Sequence, residues 1–324
     1  MSAGTDFGVP ADVAVDAFGG GLPAAYEEAM AGAQDRARPL CIVLEYLSAE
    51  TWVLGHHGLP SPHPRLPLDR YFFFPGFEPG TGGLLREPEL TQRREAFLRQ
   101  PAAREALWRD AGFPPPAPDA TVVTLFGYEN AALGTLLDIL SAARQPIIAA
   151  VPASQLATQL ARMLGMRAAH TLAAAGSPRT ATLGALEVRF LPFLPQSRYD
   201  ELLWSADWNF VRGEDSFVRA QWAERPFLWQ LYPQAGAAHL VKLDAFLDLY
   251  CRRLPANLAA ALRSVSRAWN GAPAISQAAL AEGIRNLAVE GAALRRHAQS
   301  WAARMTNSGD LVQNLWQFCS ERLK

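Results

Sequence analysis

The stretch 121–165, "TVVTLFGYENAALGTLLDILSAARQPIIAAVPASQLATQLARMLG", decides the fold. "TVVTLFGY" (121–128) is rich in β-branched residues and reads as a buried strand, and "NAALGTLLDILSAAR" after it has helical spacing. "PIIAAVP" (146–152) is a second strand, followed by the helix-like "SQLATQLARMLG". The alternation continues in "LEVRFLPF" (186–193), "WNFVRG" (208–213) and "PFLWQLY" (226–232), with "SRYDELLWSA" and "SFVRAQWA" as helices between them. Strands this apolar, each followed by a helix, predict a parallel sheet covered on both faces, a Rossmann-like domain.

Upstream lies "GFPPPAPDA" (112–120), whose successive prolines cannot continue a helix or a central strand. It reads as a stiff linker, residues 114–120, after a first domain of residues 1–113. That first part offers "VAVDAF" (13–18), a helix from about Leu22, "LCIVLEYL" (40–47) and "RYFFFPG" (70–76). So few strands predict the later portion of a doubly wound domain, or else a small α/β domain complete as written. Helix interrupted at Pro101 is expected over "TQRREAFLRQPAAREALWRDAG". The second domain is expected over 121–305, and a last amphipathic helix over 306–324 possesses the spacing to pack back on the first domain.

A formal net charge of −1 gives no global attraction to nucleic acid or to an anionic membrane. Cys41, Cys251 and Cys319 are far apart, show no metal-ligand spacing, and fit a reducing cytoplasm. The apolar runs fall short of the ~20 residues that span a bilayer. His56, His57 and His63 in "GHHGLPSPHP" have no cysteine or acidic set to complete a zinc shell, and read as a surface loop. No metal site is expected.

In open α/β sheets, ligands bind where strands end and loops lead into helices. Four such corners are "FGYEN" (126–130), "FLPQSRYD" (193–200), "RGEDS" (212–216) and "QLYPQ" (230–234). At "RGEDS", Gly213 permits a tight corner and a helix N-terminus follows, which is a ready anion site. Glu214 and Asp215 equally well cap that helix and oppose its dipole. The two readings stand level on the residues alone, and the capped turn leaves Arg212 unaccounted for. Phe126 and Tyr128 are able to stack on a flat ring or to be core. Gln196 beside Pro195 can meet a nucleobase edge or belong to a plain turn, and Tyr232 can offer a hydroxyl. No glycine-rich dinucleotide fingerprint or phosphate loop is present, and Ser216 lacks a nucleophile elbow.

"EYLSAETWV", "HGLPSPHP", "YFFFPGF", "TGGLLRE", "VRGEDSFVRAQWA", "RPFLWQLYPQ" and "HLVKLDAFLDLY" together resemble the bacterial protein-arginine rhamnosyltransferases that modify elongation factor P. The resemblance runs in order from about residue 12 to the carboxyl terminus. It implies a GT-B fold of two Rossmann-like domains, the first incomplete here, with a helical carboxyl-terminal region. It implies an inverting, metal-free transfer of rhamnose from dTDP-β-L-rhamnose to an arginine of elongation factor P, by a cytoplasmic monomer without a cofactor. Phe126, Tyr128, Phe193, Gln196 and Tyr232 match residues around the thymidine and sugar. Glu214, Asp215 and Ser216 match the acidic motif beside the diphosphate and rhamnose, and Asp215 is expected to order that turn.

The family also carries an N-terminal D-N-x-G-D-I-G motif whose aspartates include the general base, and this sequence has none. The expectation is therefore donor binding with weak turnover, Glu214 and Asp215 being the catalytic carboxylates that remain. The competing readings are a non-catalytic protein that binds a nucleotide sugar or elongation factor P, and a GT-B transferase with another donor.

Overall fold

A computed structural model describes residues 8–32, 39–165, 179–273 and 275–323. The chain divides into two compact units, Met1–Arg86 with Arg304–Lys324, and Glu87–Ala303.

In the second unit the expected strands form as β5 (Thr121–Leu125), β6 (Ile147–Val151), β8 (Leu186–Phe190), β9 (Trp208–Arg212) and β10 (Phe227–Gln230). A further strand, β7 (Arg179–Leu183), extends the sheet to the order β10-β9-β5-β6-β8-β7. The five expected strands are parallel, while β7 pairs antiparallel with β8. The sheet is thus mixed, and its antiparallel member is a short edge strand whose polar "RTATL" carries little strand signal. Gly184 turns the β7–β8 hairpin at φ +55°, where a Cβ would overlap the Ser141 carbonyl oxygen.

Helices cover both faces because their apolar residues recur at helical spacing. On α4 (Leu133–Ser141) these are Leu133, Leu136, Leu137 and Leu140, all buried. On α5 (Gln155–Met163), Leu156, Ala157, Leu160 and Ala161 are buried, and the Ser154 hydroxyl caps the first turn, accepting from the Ala157 N–H at 3.1 Å. Helices α6 (Gln196–Ser205) and α7 (Asp215–Trp222) follow β8 and β9. The helical region then runs through α8 (Ala238–Tyr250), α9 (Ala256–Trp269), α10 (Gln277–Val289) and α11 (Gly291–Thr306).

The division between units does not fall at the expected proline linker. Helices α2 (Leu90–Arg99) and α3 (Pro101–Asp110), separated at Pro101 as expected, belong with the second unit, and so does the proline run. The reason is packing: the Phe97 and Trp204 rings lie 5.7 Å apart, and Arg94 donates to the Trp222 carbonyl at 2.8 Å while pairing with Glu224 at 2.6 Å. Successive prolines stiffen a segment without making it a boundary.

The first unit carries a four-stranded sheet in the order β1-β2-β4-β3, from β1 (Val13–Ala17), β2 (Leu40–Leu44), β3 (Pro60–Pro62) and β4 (Asp69–Phe73), with helix α1 (Ala24–Gly32). Strand β3, "PSP", was not anticipated, since prolines are confined to edges, where this strand lies. The last helix, α12 (Leu311–Arg322), packs Phe318 and Cys319 against Leu40, Ile42 and Phe73. Asp310 caps it, its carboxylate accepting from the Val312 and Gln313 N–H groups at 3.0 Å.

Candidate active site

At the carboxyl ends of the second unit's strands lies a cavity of about 510 Å³. Phe126 and Tyr128 enter it from the end of β5, Phe193 and Gln196 from the loop into α6, and Glu214, Asp215 and Ser216 from the turn into α7. Three separate corners of the chain therefore converge. Tyr232 does not line the cavity. It is 65% exposed and stands edge-on to Tyr128, ring centres 5.4 Å apart.

The β5 loop is held by neutral amides. The Tyr128 N–H donates to Gln230 Oε1 at 2.9 Å, and Gln230 Nε2 donates to the Glu129 carbonyl at 3.2 Å. Gln159 and Asn130 bond reciprocally, the Asn130 N–H donating at 2.7 Å and Gln159 Nε2 returning a bond at 2.8 Å. Gly127 keeps the space between them open, since a Cβ would come within 2.7 Å of both Gln230 Oε1 and Leu156 Cδ1. The β10 loop is fixed in the same way. Asn270 Oδ1 accepts from the Leu231 N–H at 2.8 Å, and Asn270 Nδ2 donates to the Trp229 carbonyl at 2.7 Å.

The "RGEDS" turn is ordered by Ser216 rather than by Asp215. The Ser216 hydroxyl donates to the Arg212 carbonyl and accepts from the Arg212 N–H at 3.1 Å. Gly213 takes φ +63°, its N–H donating to the Gln230 carbonyl at 3.0 Å and its carbonyl accepting from Trp229 Nε1 at 2.6 Å. Among the described residues the exposed Asp215 pairs only with Arg219, at 3.4 Å. Arg219 is already committed to Asp200, at 2.9 and 3.0 Å, and to Glu87 at 2.5 Å. Among the described residues no side chain caps α7 at Glu214, so the capped-turn reading loses its central contact.

Arg212, which had no role from sequence, lies with its guanidinium carbon 4.6 Å from the Phe126 ring centre and 4.8 Å from that of Tyr128. The two rings hold the cation at the cavity, and among the described residues its buried Nε has no hydrogen-bond partner. Tyr199 also lines the cavity, its ring 5.4 Å from Phe126. Burial pushes its phenol far above the ordinary range; its oxygen faces Ser216, whose own hydroxyl is engaged with Arg212. In the sequence Tyr199 keeps ordinary helical spacing, so nothing separated it from a core residue. Phe193, by contrast, is 82% exposed, which an apolar residue ending a strand run does not suggest.

Asp200 is buried behind α7. Burial raises its carboxyl to about 6, with Arg219 opposing. The histidines in the first unit serve structure: His57 Nδ1 accepts from the Phe74 N–H at 3.1 Å and His63 Nδ1 from the Leu66 N–H at 3.0 Å. Among the described residues no group of three His, Cys, Asp or Glu is placed to hold a metal, and no helix is long and apolar enough to cross a membrane. All three cysteines are free and buried.

Two α/β units with parallel-rich sheets, a helical carboxyl-terminal region and a cavity at strand ends make this a glycosyltransferase of GT-B-like fold. Residues 2–320 match the family described as Elongation-Factor P (EF-P) rhamnosyltransferase EarP, and the chain belongs to that family. Protein-arginine rhamnosyltransferase of Pseudomonas putida is 46% identical over 312 residues, covering 95% of this chain and 78% of the relative. That of Pseudomonas aeruginosa is 44% identical over 322 residues, covering 97% and 79%. A solved structure described as the structural basis for EarP-mediated arginine glycosylation of translation elongation factor EF-P is 40% identical. It covers 76% of this chain and 75% of that one, with a TM-score of 0.66.

Proposed function

We propose that this cavity binds dTDP-β-L-rhamnose and that the chain transfers its rhamnose, with inversion, to one arginine side chain of elongation factor P. The observation that carries the donor assignment is the Arg212–Ser216 turn, which brings a cation and a helix N-terminus into the same cavity as Phe126 and Tyr128. The names of the relatives support the acceptor residue, and the structure of the EarP relative supports elongation factor P as its bearer.

The chemistry follows from charge. As the bond from the anomeric carbon to the diphosphate breaks, its electron pair leaves with the diphosphate. The positive end of α7 and Arg212 meet that developing charge in place of a metal ion. The acceptor nitrogen forms the new bond from the opposite face and gives up one proton to Glu214 or Asp215, the carboxylates of the cavity, a demanding step for a group whose pKa exceeds about 12. Glu214 and Asp215 flank the sugar, Glu214 orienting it. Holding nitrogen and carbon in line supplies several kcal/mol of the barrier reduction. Thymine packs against the aromatic residues with Gln196 at its edge, and Tyr232 braces Tyr128 from outside. Three free, buried thiols suit a reducing cytoplasm.

The test is calorimetric titration with dTDP-rhamnose, dTDP and UDP, followed by mass spectrometry of elongation factor P incubated with protein and donor. Tight dTDP-rhamnose binding and slow addition of one deoxyhexose to an arginine are expected. Binding without transfer would leave a nucleotide-sugar-binding protein, and equal affinity for UDP would reassign the donor.

A further inference from the structure

The amino-terminal ends of the same strands carry a second cavity, of about 470 Å³. Three guanidinium groups line it, from Arg104 on α3, Arg225 just before β10 and Arg295 on α11. Two carboxylates line it too, but both are engaged. Glu105 pairs with Arg109 at 3.2 Å. Asp207 accepts from Arg295 at 2.6 Å through one oxygen and from the Val122 N–H at 3.0 Å through the other.

Arg225 is half-buried and held in place, its Nε donating to the Trp204 carbonyl at 3.0 Å in the last turn of α6. Among the described residues its terminal nitrogens make no hydrogen bond or ion pair, and neither does the Arg104 guanidinium. Burial, and then the nearby Arg295 charge, push the Arg225 guanidinium down to about 10, with Asp207 opposing. The carboxyl end of α6 contributes only about half a negative charge. With Asp207 counted, an excess of roughly one to two positive charges remains in a walled space. An anion beside the half-buried Arg225 would offset both its desolvation and the Arg295 repulsion.

We propose that this cavity is an anion site for the phosphoryl group of a small molecule, with Arg225 and Arg104 bonding its oxygens. A dianion matches the charge excess, and guanidinium forks suit phosphate oxygens. The volume lies in the range of small-molecule sites and exceeds what a lone ion needs. The Trp108 edge and the proline run supply a rigid apolar wall for the remainder of the ligand. The site stands apart from the donor cavity, at the opposite end of one sheet, and does not depend on the donor assignment.

Inorganic phosphate and pyrophosphate are titrated calorimetrically into the full chain and into Arg225→Gln, Arg104→Gln and Arg212→Gln variants. Arg225→Gln is expected to weaken phosphate binding at least about ten-fold and the exposed Arg104→Gln about three-fold, with Arg212→Gln retaining this site. The Arg104 substitution keeps the test sharp if the Arg225 variant folds poorly. Phosphate binding that survives both Arg104→Gln and Arg225→Gln but is lost in Arg212→Gln overturns the proposal. A short polyglutamate peptide binding more tightly than either phosphate also overturns it, in favour of an acidic protein segment.

Discussion

The two ends of the second unit's sheet are built from different chemistry. At the carboxyl ends, loop backbone groups are held by neutral amides: Gln230 takes the Tyr128 N–H, Gln159 that of Asn130, and Asn270 that of Leu231. At the amino ends, guanidinium groups hold carbonyls instead: Arg94 that of Trp222 and Arg225 that of Trp204. Helix polarity explains the contrast. In a parallel α/β unit the positive helix ends gather at the strands' carboxyl ends, and the negative ends at the other side. Arginine satisfies terminal carbonyls and opposes their dipole at once. Amides fix the opposite loops without adding cations, leaving Arg212 and the α7 N-terminus to address a ligand.

Asn270→Ala should show the largest effect. It strands the Leu231 N–H and removes the side-chain donor of the Trp229 carbonyl, and should cost about 2–4 kcal/mol in denaturant unfolding. A loss below about 1 kcal/mol would mean that amides are not what holds those loops. Arg212→Ala should weaken dTDP binding by about 10- to 100-fold in calorimetry, while Arg225→Ala changes it less than about two-fold. Equal losses from both would erase the functional distinction between the ends.

Gly213→Ala forces a left-handed φ on a residue whose Cβ would sit 3.2 Å from the Tyr128 hydroxyl. It should cost about 1–2 kcal/mol, and Gly213→Asn less, as read from thermal melts. If alanine costs nothing, the turn is not held in its left-handed form.

The pH-dependent effect belongs to Asp200. Its folded carboxyl, near 6, binds a proton more tightly than at its ordinary value of 3.8. That contribution to stability is complete below about pH 3.8 and is lost as pH rises through about 6. Asp200→Asn lacks the titration, so its stability relative to the parent should improve as pH rises from about 4 to about 7. A flat difference in urea melts would show that Arg219 fully offsets the burial.

Much of this was legible in the residues. β-Branched runs such as "TVVTL" and "IIAAV" form strands because few other structures bury such side chains on both sides, and Gly213 announced the corner. The polar β7 and the proline-bearing β3 were illegible, since an edge strand takes its structure from one neighbour rather than from its own pattern. The proline run suggested a boundary that Phe97 on Trp204 and Arg94 on the Trp222 carbonyl override. Of the candidate site, Phe126, Tyr128, Phe193, Gln196, Glu214, Asp215 and Ser216 line one cavity, Tyr232 stands outside it, and Tyr199 joins unannounced.

The sequence by itself determined the parallel strands, the helices between them, the corners where they meet and the family to which the chain belongs, because periodicity, turn residues and unusual blocks are local. Only the tertiary structure decided which carbonyl each arginine serves, which amide holds each loop, and that Arg212 rests on Phe126 and Tyr128. Those contacts join residues such as Tyr128 and Gln230, separated by 102 positions. No local pattern records such partners; burial and the geometry of the sheet select them.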